Sequence, residues 1–184
     1  MNNYHAPTRF VGKNSKYLDI CPSTNSLAFS EALNENLPEG FAWIAGHQTA
    51  GRGQRGNTWD AEPNQNLTLS FLLRPPHRLL DKQFYLSKAI ANGILAGLEA
   101  WSRATQGENF NFEIKWPNDI YLDGVKLGGI LIENSFKSSS IESLDKLVLL
   151  EEIISDLGTN ISCGNTSFSI TSYAFSSTVE ISDI

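Results

Sequence analysis

A glycine-rich segment between two strand-like stretches is the feature that most constrains the fold of this chain. It runs from Gly51 to Gly56 and reads Gly-Arg-Gly-Gln-Arg-Gly. Residues 41–45 before it are apolar and have the length of a buried strand, and residues 66–73 after it form a second strand-like run that ends at two prolines. A glycine segment in this position predicts a loop whose backbone can approach a ligand closely.

The glycine spacing matches the dinucleotide-binding pattern G-x-G-x-x-G, but the surrounding sequence does not fit that site. A dinucleotide site requires a helix to begin at the third glycine, because the helix N-terminus binds the pyrophosphate. Here a polar loop, residues 57–63, follows instead, and kinase and P-loop motifs are missing. What remains is a loop with two guanidinium groups, Arg52 and Arg55, which suit phosphate or carboxylate oxygens. A solvated basic surface loop is the alternative.

Two helices are predicted from capping signals and apolar spacing. Residues 24–36 have an apolar face, with Ser23 or Thr24 as the N-cap. Residues 82–103, capped by Asp81, form the longest predicted helix. Its apolar stripe predicts packing on a sheet and consists of Leu86, Ile90, Ile94, Leu98 and Trp101.

Three further strands are predicted at residues 112–116, 120–122 and 125–133, and Asp123-Gly124 has the composition of a type I′ hairpin turn. Strand alternation then points Lys115 and Lys126 toward one cleft, where two cations favour a bound anion. Gly128-Gly129 inside a strand indicates a close approach of ligand or backbone. An exposed hairpin with two solvated lysines is the alternative.

The composition changes near Asn134. Residues 1–134 have a net charge of −1, whereas residues 135–184 have a net charge of −5 and contain 13 serines. In this second part the pattern is weaker, and it suggests a helix over residues 144–157, ended by Gly158, and a strand over residues 166–181. We therefore divide the chain into a core, residues 1–134, and a divergent acidic segment, residues 135–184.

Charge and cysteine content exclude several classes of protein. The net charge of −6 argues against coating nucleic acid or an anionic membrane, and no stretch is long and apolar enough to span a bilayer. The N-terminus lacks the apolar region of a signal peptide. The two distant cysteines, Cys21 and Cys163, and three isolated histidines show neither disulfide nor metal-site spacing. We expect a cytoplasmic protein with reduced thiols that binds neither nucleic acid nor membrane.

Over about residues 15–134, the order of motifs resembles the biotin protein ligases, enzymes that attach biotin to the carrier domain of biotin-dependent carboxylases. The motifs are Ser23-Thr24-Asn25; Gln48 with the glycine segment and Trp59; Lys115-Trp116-Pro117-Asn118-Asp119; and the run from Lys126 through Gly128-Gly129 to Glu133. The resemblance implies an α/β fold like that of class II aminoacyl-tRNA synthetases, with a mixed sheet flanked by helices. We expect no N-terminal DNA-binding domain, and a C-terminal part that is truncated or divergent and lacks the family's small β-barrel.

The resemblance also implies a chemistry. Biotin and ATP, with Mg²⁺, would form biotinyl-5′-AMP, and a lysine of a carboxyl-carrier protein would then accept the biotin. The implied catalytic residues are Lys115, Lys126 and Arg52. The implied biotin-binding residues are Ser23, Thr24, Asn25, Gln48, Gly51, Arg52, Gly53, Gln54, Lys126, Gly128 and Gly129. The implied ATP-binding residues are Arg52, Arg55, Trp59, Lys115 and Asn118, with Asn118 and Asp119 as candidates for Mg²⁺. Gln54 stands where some family members carry arginine, which puts an anion-binding role at that position in doubt.

Three alternatives remain at this point. A lipoate or octanoate ligase or transferase shares the fold, but its pocket takes an aliphatic chain, whereas Ser23-Thr24-Asn25 with Gln48 suits the ureido ring of biotin. A catalytically dead biotin-binding protein is the second alternative, and a simple scaffold protein is the third. The oligomeric state, a homodimer included, and the identity of the acceptor protein are left open.

Overall fold

The computed structural model describes residues 9–74, 82–106, 110–137 and 145–155. Its helices are α1 (Thr24–Asn34) and α2 (Gln83–Gln106), with one 3₁₀ turn at Gln54–Gly56. Its strands are β1 (Ser15–Cys21), β2 (Ala42–Gln48), β3 (Gly51–Arg52), β4 (Thr58–Trp59), β5 (Asn66–Leu73), β6 (Phe112–Lys115), β7 (Asp119–Leu122), β8 (Val125–Lys137) and β9 (Asp145–Ser155).

Seven strands form one mixed sheet in the order β1-β2-β5-β9-β8-β7-β6. β1 runs parallel to β2, and every other pair of neighbours in this sheet is antiparallel. β3 and β4 pair separately as a small antiparallel ribbon. The mixed sheet with its two helices confirms the predicted α/β class.

The short helix α1 begins where the sequence predicts. Ser23 is the N-cap, and its Oγ accepts a hydrogen bond from the backbone N–H of Ser26 at 3.3 Å. Ala28 and Ala32 on α1 are buried against Trp43 of β2. Because Trp43 alternates with neighbours that face the other core cluster, α1 covers one face of the sheet.

The long helix α2 covers the opposite face. All five members of its predicted apolar stripe are buried, with Leu98 at 0% and Trp101 at 1% exposure. They pack against β-strand residues that include Phe71 and Ile120, which confirms the prediction of a helix packed on a sheet. The predicted cap, Asp81, lies outside the described residues. Among the described residues, neither helix combines the length and apolarity that crossing a membrane requires.

The β6–β7–β8 meander follows the prediction closely. β7 and β8 are joined by a two-residue turn, with Leu122 opposite Val125. Asp123 and Gly124 have φ values of 49° and 78°, as a type I′ turn requires at both central positions. The turn sets the register at Leu122 and Tyr121, and a one-residue shift between Tyr121 and Ile120 then brings Asp119 opposite Gly129.

The helix predicted for residues 144–157 is wrong. Residues 145–155 instead form β9, which lies between β5 and β8 and pairs with both along their length. A short apolar run is compatible with a strand as well as with a helix, so the spacing of the apolar residues did not distinguish the two here. The sheet therefore continues beyond residue 134, where the composition changes. The predicted strand at residues 166–181 and Gly158 lie outside the described residues.

A charged contact joins α1 to the edge of this sheet. Glu31 binds Lys16 of β1 at 2.6 Å and accepts a hydrogen bond from Nε1 of Trp43 at 2.8 Å. Partial burial alone would raise the pKa of Glu31, but the hydrogen bonds from Lys16 and Trp43, together with the charge of Lys16, outweigh burial and lower the pKa below 4.5.

Glu31→Gln is expected to reduce the free energy of unfolding at neutral pH by about 0.5–1 kcal/mol, the size of a partly exposed ion pair. Because folding lowers the pKa of Glu31, its contribution is complete above the unfolded value of 4.5 and is lost as the pH falls through the folded value. Urea unfolding of both proteins across this acidic range measures the difference. A gap between the two that stays constant through the acidic range would contradict the assignment.

Candidate functional site

The glycine segment forms a short ribbon with a tight tip. Gly51 pairs with Trp59 and Arg52 pairs with Thr58, and the 3₁₀ turn closes the tip, where Gly56 has a φ of 81°. A side chain at Gly51 would overlap the backbone carbonyl oxygen of Trp59, so the two strands of the ribbon approach this closely only with glycine there.

The ribbon and the β6–β7–β8 meander enclose a cavity of about 510 Å³, here called the meander cavity. Its charged and aromatic lining comes from both sides: Arg52, Arg55 and Trp59 from the ribbon, and Trp116, Asp119 and Lys126 from the meander. Asn118 and Gly129 are among its other lining residues. Trp59 is packed so closely that a Cβ at Gly129 would lie 3.1 Å from its ring, which explains the glycine inside β8.

A second cavity of about 690 Å³, here called the loop cavity, lies along the ribbon beside the middle of β8. It is lined by the ribbon from Ala50 to Thr58 and by Leu131, Ile132 and Glu133. Arg52 and Arg55 both line the two cavities, so the same two cationic side chains border both spaces.

Two of the cations that line the cavities, Lys126 and Arg52, are paired with carboxylates. Nζ of Lys126 lies 2.8 Å from Oδ1 of Asp119 and 4.9 Å from the centre of the Trp59 ring. Arg52 forms an ion pair with Glu133. All four side chains are partly exposed, so an anionic ligand can replace Asp119 or Glu133 as the partner of the cation at small electrostatic cost.

A buried polar cluster lies where α1 begins beside the end of β2. Ser23, Thr24, Asn25 and Gln48 are each 0–9% exposed. Oε1 of Gln48 accepts hydrogen bonds from the backbone N–H of Thr24 and from its hydroxyl group, the latter at 3.0 Å. The hydroxyl of Ser70 donates to Oγ1 of Thr24 at 2.9 Å. This cluster contains amides and hydroxyl groups with no formal charge, and such groups match a neutral polar ligand.

The cluster is linked to the loop cavity through one hydrogen bond. Nδ2 of Asn25 donates to Oε2 of Glu133 at 2.8 Å, and Glu133 lines the loop cavity. Oδ1 of Asn25 is buried and has no hydrogen-bond partner among the described residues. Neutral polar groups and paired cations therefore belong to one connected site.

The structure does not bring Lys115 to the cavities, although it was predicted to share a cleft with Lys126. Nζ of Lys115 lies 3.4 Å from the hydroxyl oxygen of Tyr121 and 5.5 Å from the centre of its ring, and Lys115 lines neither cavity described above. The reason is that β7 lies between the strands of the two lysines, which separates their backbones by about 10 Å.

Glu133 belongs to the site, although no role was predicted for it. It closes the apolar run after Gly128-Gly129, and a carboxylate at the end of a buried strand is the signal that was available. Its partners were not predictable, because they lie 81 and 108 residues away in the sequence.

Within the described ranges, no group of three His, Cys, Asp or Glu side chains is placed to hold a metal ion. Mg²⁺ that enters with nucleotide phosphates needs only one or two protein oxygens. Asn118 and Asp119 supply such oxygens at the meander cavity and fit this mode of binding.

Residues 17–144 match the biotin/lipoate A/B protein ligase family. The chain is 34% identical over 137 residues to the bifunctional ligase/repressor BirA of Bacillus spizizenii, which covers 74% of this chain and 40% of that protein. It is 32% identical over 126 residues to the biotin–[acetyl-CoA-carboxylase] ligase of Mycobacterium tuberculosis, covering 67% of this chain and 46% of that one. The chain thus spans less than half the length of these two relatives.

Among solved structures, the fold is similar to the biotin protein ligase from Aquifex aeolicus in complex with biotin and ATP. The TM-score is 0.58 at 29% identity, over 77% of this chain and 52% of that one.

Proposed function

The chain belongs to the biotin/lipoate A/B protein ligase family, and we propose that it is an ATP-dependent biotin ligase. The proposed reaction joins the carboxylate of biotin to the α-phosphorus of ATP, which gives biotinyl-5′-AMP and pyrophosphate. The amine of a lysine on a carboxyl-carrier domain then attacks the mixed anhydride and releases AMP. The observation that carries the proposal is a buried neutral polar cluster connected by hydrogen bonds to a cavity lined by cations.

Biotin has a neutral ureido head group and an anionic carboxylate, and the site offers both kinds of partner. We assign the head group to Ser23, Thr24, Asn25 and Gln48, whose buried amides and hydroxyl groups can pair with urea without leaving a charge unpaired. The ribbon from Gly51 to Gln54 and the strand glycines Gly128 and Gly129 provide backbone surfaces for close contact. Lys126 and Arg52 would pair with the carboxylate.

ATP is assigned to the meander cavity. Trp59 offers a ring for the adenine, and Arg52, Arg55 and Asn118 line the same space with groups that bind phosphate oxygens. Lys115, which contacts Tyr121 outside the cavity, is assigned no direct contact with ATP in this proposal. Mg²⁺ bound with the phosphates would supply positive charge, with Asn118 and Asp119 as its protein partners.

The chain's own residues do three things in this mechanism. The polar cluster holds the head group, which fixes the position of the reacting carboxylate. Lys126 and Arg52 stabilise the negative charge that builds up as the carboxylate attacks phosphorus. The glycine ribbon covers the adenylate and limits its hydrolysis by water. Each cation exchanges its carboxylate partner, Asp119 or Glu133, for a ligand oxygen.

Lipoate or octanoate ligation is the second candidate within the same family. Its substrates present an aliphatic chain, which would leave the buried Oδ1 of Asn25 without a hydrogen-bond donor. The buried polar cluster therefore favours biotin. An inactive protein that only binds biotin would have the same binding site, so an activity measurement is needed to distinguish it from a ligase.

Mass spectrometry of an isolated carboxyl-carrier domain, incubated with the chain, ATP, Mg²⁺ and biotin, tests the proposal. We expect one added biotin on the acceptor lysine, and none on a carrier whose acceptor lysine is replaced by arginine. Parallel reactions with lipoate and octanoate should leave the carrier unmodified. Transfer of lipoate in place of biotin would overturn the substrate assignment, and biotin binding without transfer would indicate the inactive binding protein.

A further inference from the structure

Glu133 joins two parts of the site that are distant in sequence. Its Oε2 accepts a hydrogen bond from Nδ2 of Asn25 at 2.8 Å and also binds Nη2 of Arg52. Asn25 belongs to α1, Arg52 to the glycine ribbon and Glu133 to β8. One carboxylate oxygen therefore connects both proposed ligand-binding elements to the central sheet.

The first consequence concerns the orientation of the Asn25 amide. An asparagine side chain has a donor end and an acceptor end, whereas an ionised carboxylate only accepts hydrogen bonds. Glu133 therefore selects the orientation in which Nδ2 points to it and Oδ1 points away. Asn25 is 0% exposed, and its Oδ1 has no partner among the described residues. A buried acceptor without a partner favours a ligand that brings an N–H or O–H donor.

The second consequence concerns the glycine ribbon. Arg52 is the ribbon's charged contact with β8, and its side chain is 44% exposed while that of Glu133 is 31% exposed. At this exposure the Arg52–Glu133 ion pair is weak, so Arg52 can leave Glu133 for a ligand oxygen. In the ligand-free protein the pair still favours the position of the glycine ribbon against the sheet. The same carboxylate thus orders the ribbon and orients Asn25.

We propose that Glu133 is a specificity-determining positioning residue, which sets Asn25 to accept a hydrogen bond from a ligand N–H and anchors the glycine ribbon through Arg52. This inference rests on the proposed function, in which the N–H belongs to the ureido ring of biotin. Lipoate carries a ring of similar size without any N–H group, so it gains nothing from an oriented Asn25.

Glu133→Gln tests both consequences at nearly constant volume. A glutamine amide can also donate, so it no longer selects one orientation of Asn25, and it has no charge to hold Arg52. Calorimetry should show the ratio of biotin to lipoate affinity falling by about tenfold, the value of one buried hydrogen bond. A merely structural role would weaken both ligands alike and leave this ratio unchanged.

Hydrogen exchange in the ligand-free protein provides the second readout. Backbone amides of residues 51–59 should exchange faster in Glu133→Gln, while those of α2 should not change. Glu31→Gln is the matched control, because it also removes a carboxylate from an ion pair but lies outside the site, and it should change neither readout.

The possible failures are distinguishable. If the wild-type chain does not bind biotin, the proposed function fails, and exchange in residues 51–59 still decides whether Glu133 anchors the ribbon. If the wild-type chain binds biotin and Glu133→Gln keeps both the affinity ratio and the exchange rates, the positioning role is overturned. Glu133→Ala should change the affinity ratio and the exchange rates in the same direction as Glu133→Gln, because it also removes the carboxylate.

Discussion

Lys126→Ala is expected to slow the formation of biotinyl-5′-AMP by about 100- to 1000-fold, the usual cost of removing one preorganised group that stabilises developing charge. Lys126 is placed for this role because its ammonium group lines the meander cavity and contacts both Asp119 and the ring of Trp59. The affinity for biotin alone should change by less than about tenfold, since the charge of the reacting centre builds up mainly in the transition state.

Pyrophosphate release under single-turnover conditions measures the chemical step, and calorimetry measures biotin binding. Lys115→Ala is the matched control, because it removes the same charge from the neighbouring part of the meander. Lys115 contacts Tyr121 and does not line the cavity, so its loss should slow adenylate formation by less than about tenfold. An equally large loss of adenylate formation in both variants would support the equal roles that the sequence pattern predicts for Lys115 and Lys126. A normal rate of adenylate formation in Lys126→Ala would exclude Lys126 from the mechanism.

Local signals in the sequence predicted most of the elements around this site. The cap at Ser23, the apolar stripe of α2 and the Asp123-Gly124 turn each depend on residues within a few positions of one another. Such features follow from short-range sterics and periodicity, and the structure confirms them. The edge strand β1 was not predicted, because its side chains are mostly exposed and show no buried alternation.

The strand β9 was not predictable from local signals of this kind. Its segment contains Leu147 through Leu150 followed by Ile153 and Ile154, a pattern that is compatible with a helix and with a strand. The segment forms a strand because its backbone pairs with β5 along one edge and with β8 along the other. Tertiary pairing of this kind is not visible within the segment itself.

In the site, the sequence predicted the types of residue that carry chemistry but not the contacts between them. Motifs identified which side chains carry chemistry, and the ion pair of Lys126 with Asp119 joins two of those motifs. The link from Asn25 through Glu133 to Arg52 spans three distant parts of the chain, so no spacing within one motif predicts it. Contacts set by the sheet register therefore determine how the motif residues cooperate.

Gln48→Leu is expected to reduce the affinity for biotin by more than about 100-fold and the free energy of unfolding by about 2 kcal/mol. Gln48 accepts two hydrogen bonds from Thr24, one from its backbone N–H and one from its hydroxyl. Thr24 is 0% exposed and lies in the first turn of α1, where backbone N–H groups have no partner within the helix. Leucine has a similar volume but accepts nothing, so both donors would stay buried without partners.

The control for this variant lies in the same hydrogen-bond chain. Ser70→Ala removes the hydroxyl that donates to Oγ1 of Thr24, but Thr24 keeps both of its bonds to Gln48. Its cost should stay near 1 kcal/mol, with a change in biotin affinity below about tenfold. If Gln48→Leu does not fold, Gln48→Glu retains the accepting oxygen and separates stability from binding, since a carboxylate cannot donate to the ureido oxygen. Unchanged biotin affinity in a folded Gln48 variant would exclude Gln48 from the head-group site. A loss confined to binding would show that its amide group contacts the ligand, in addition to supporting Thr24.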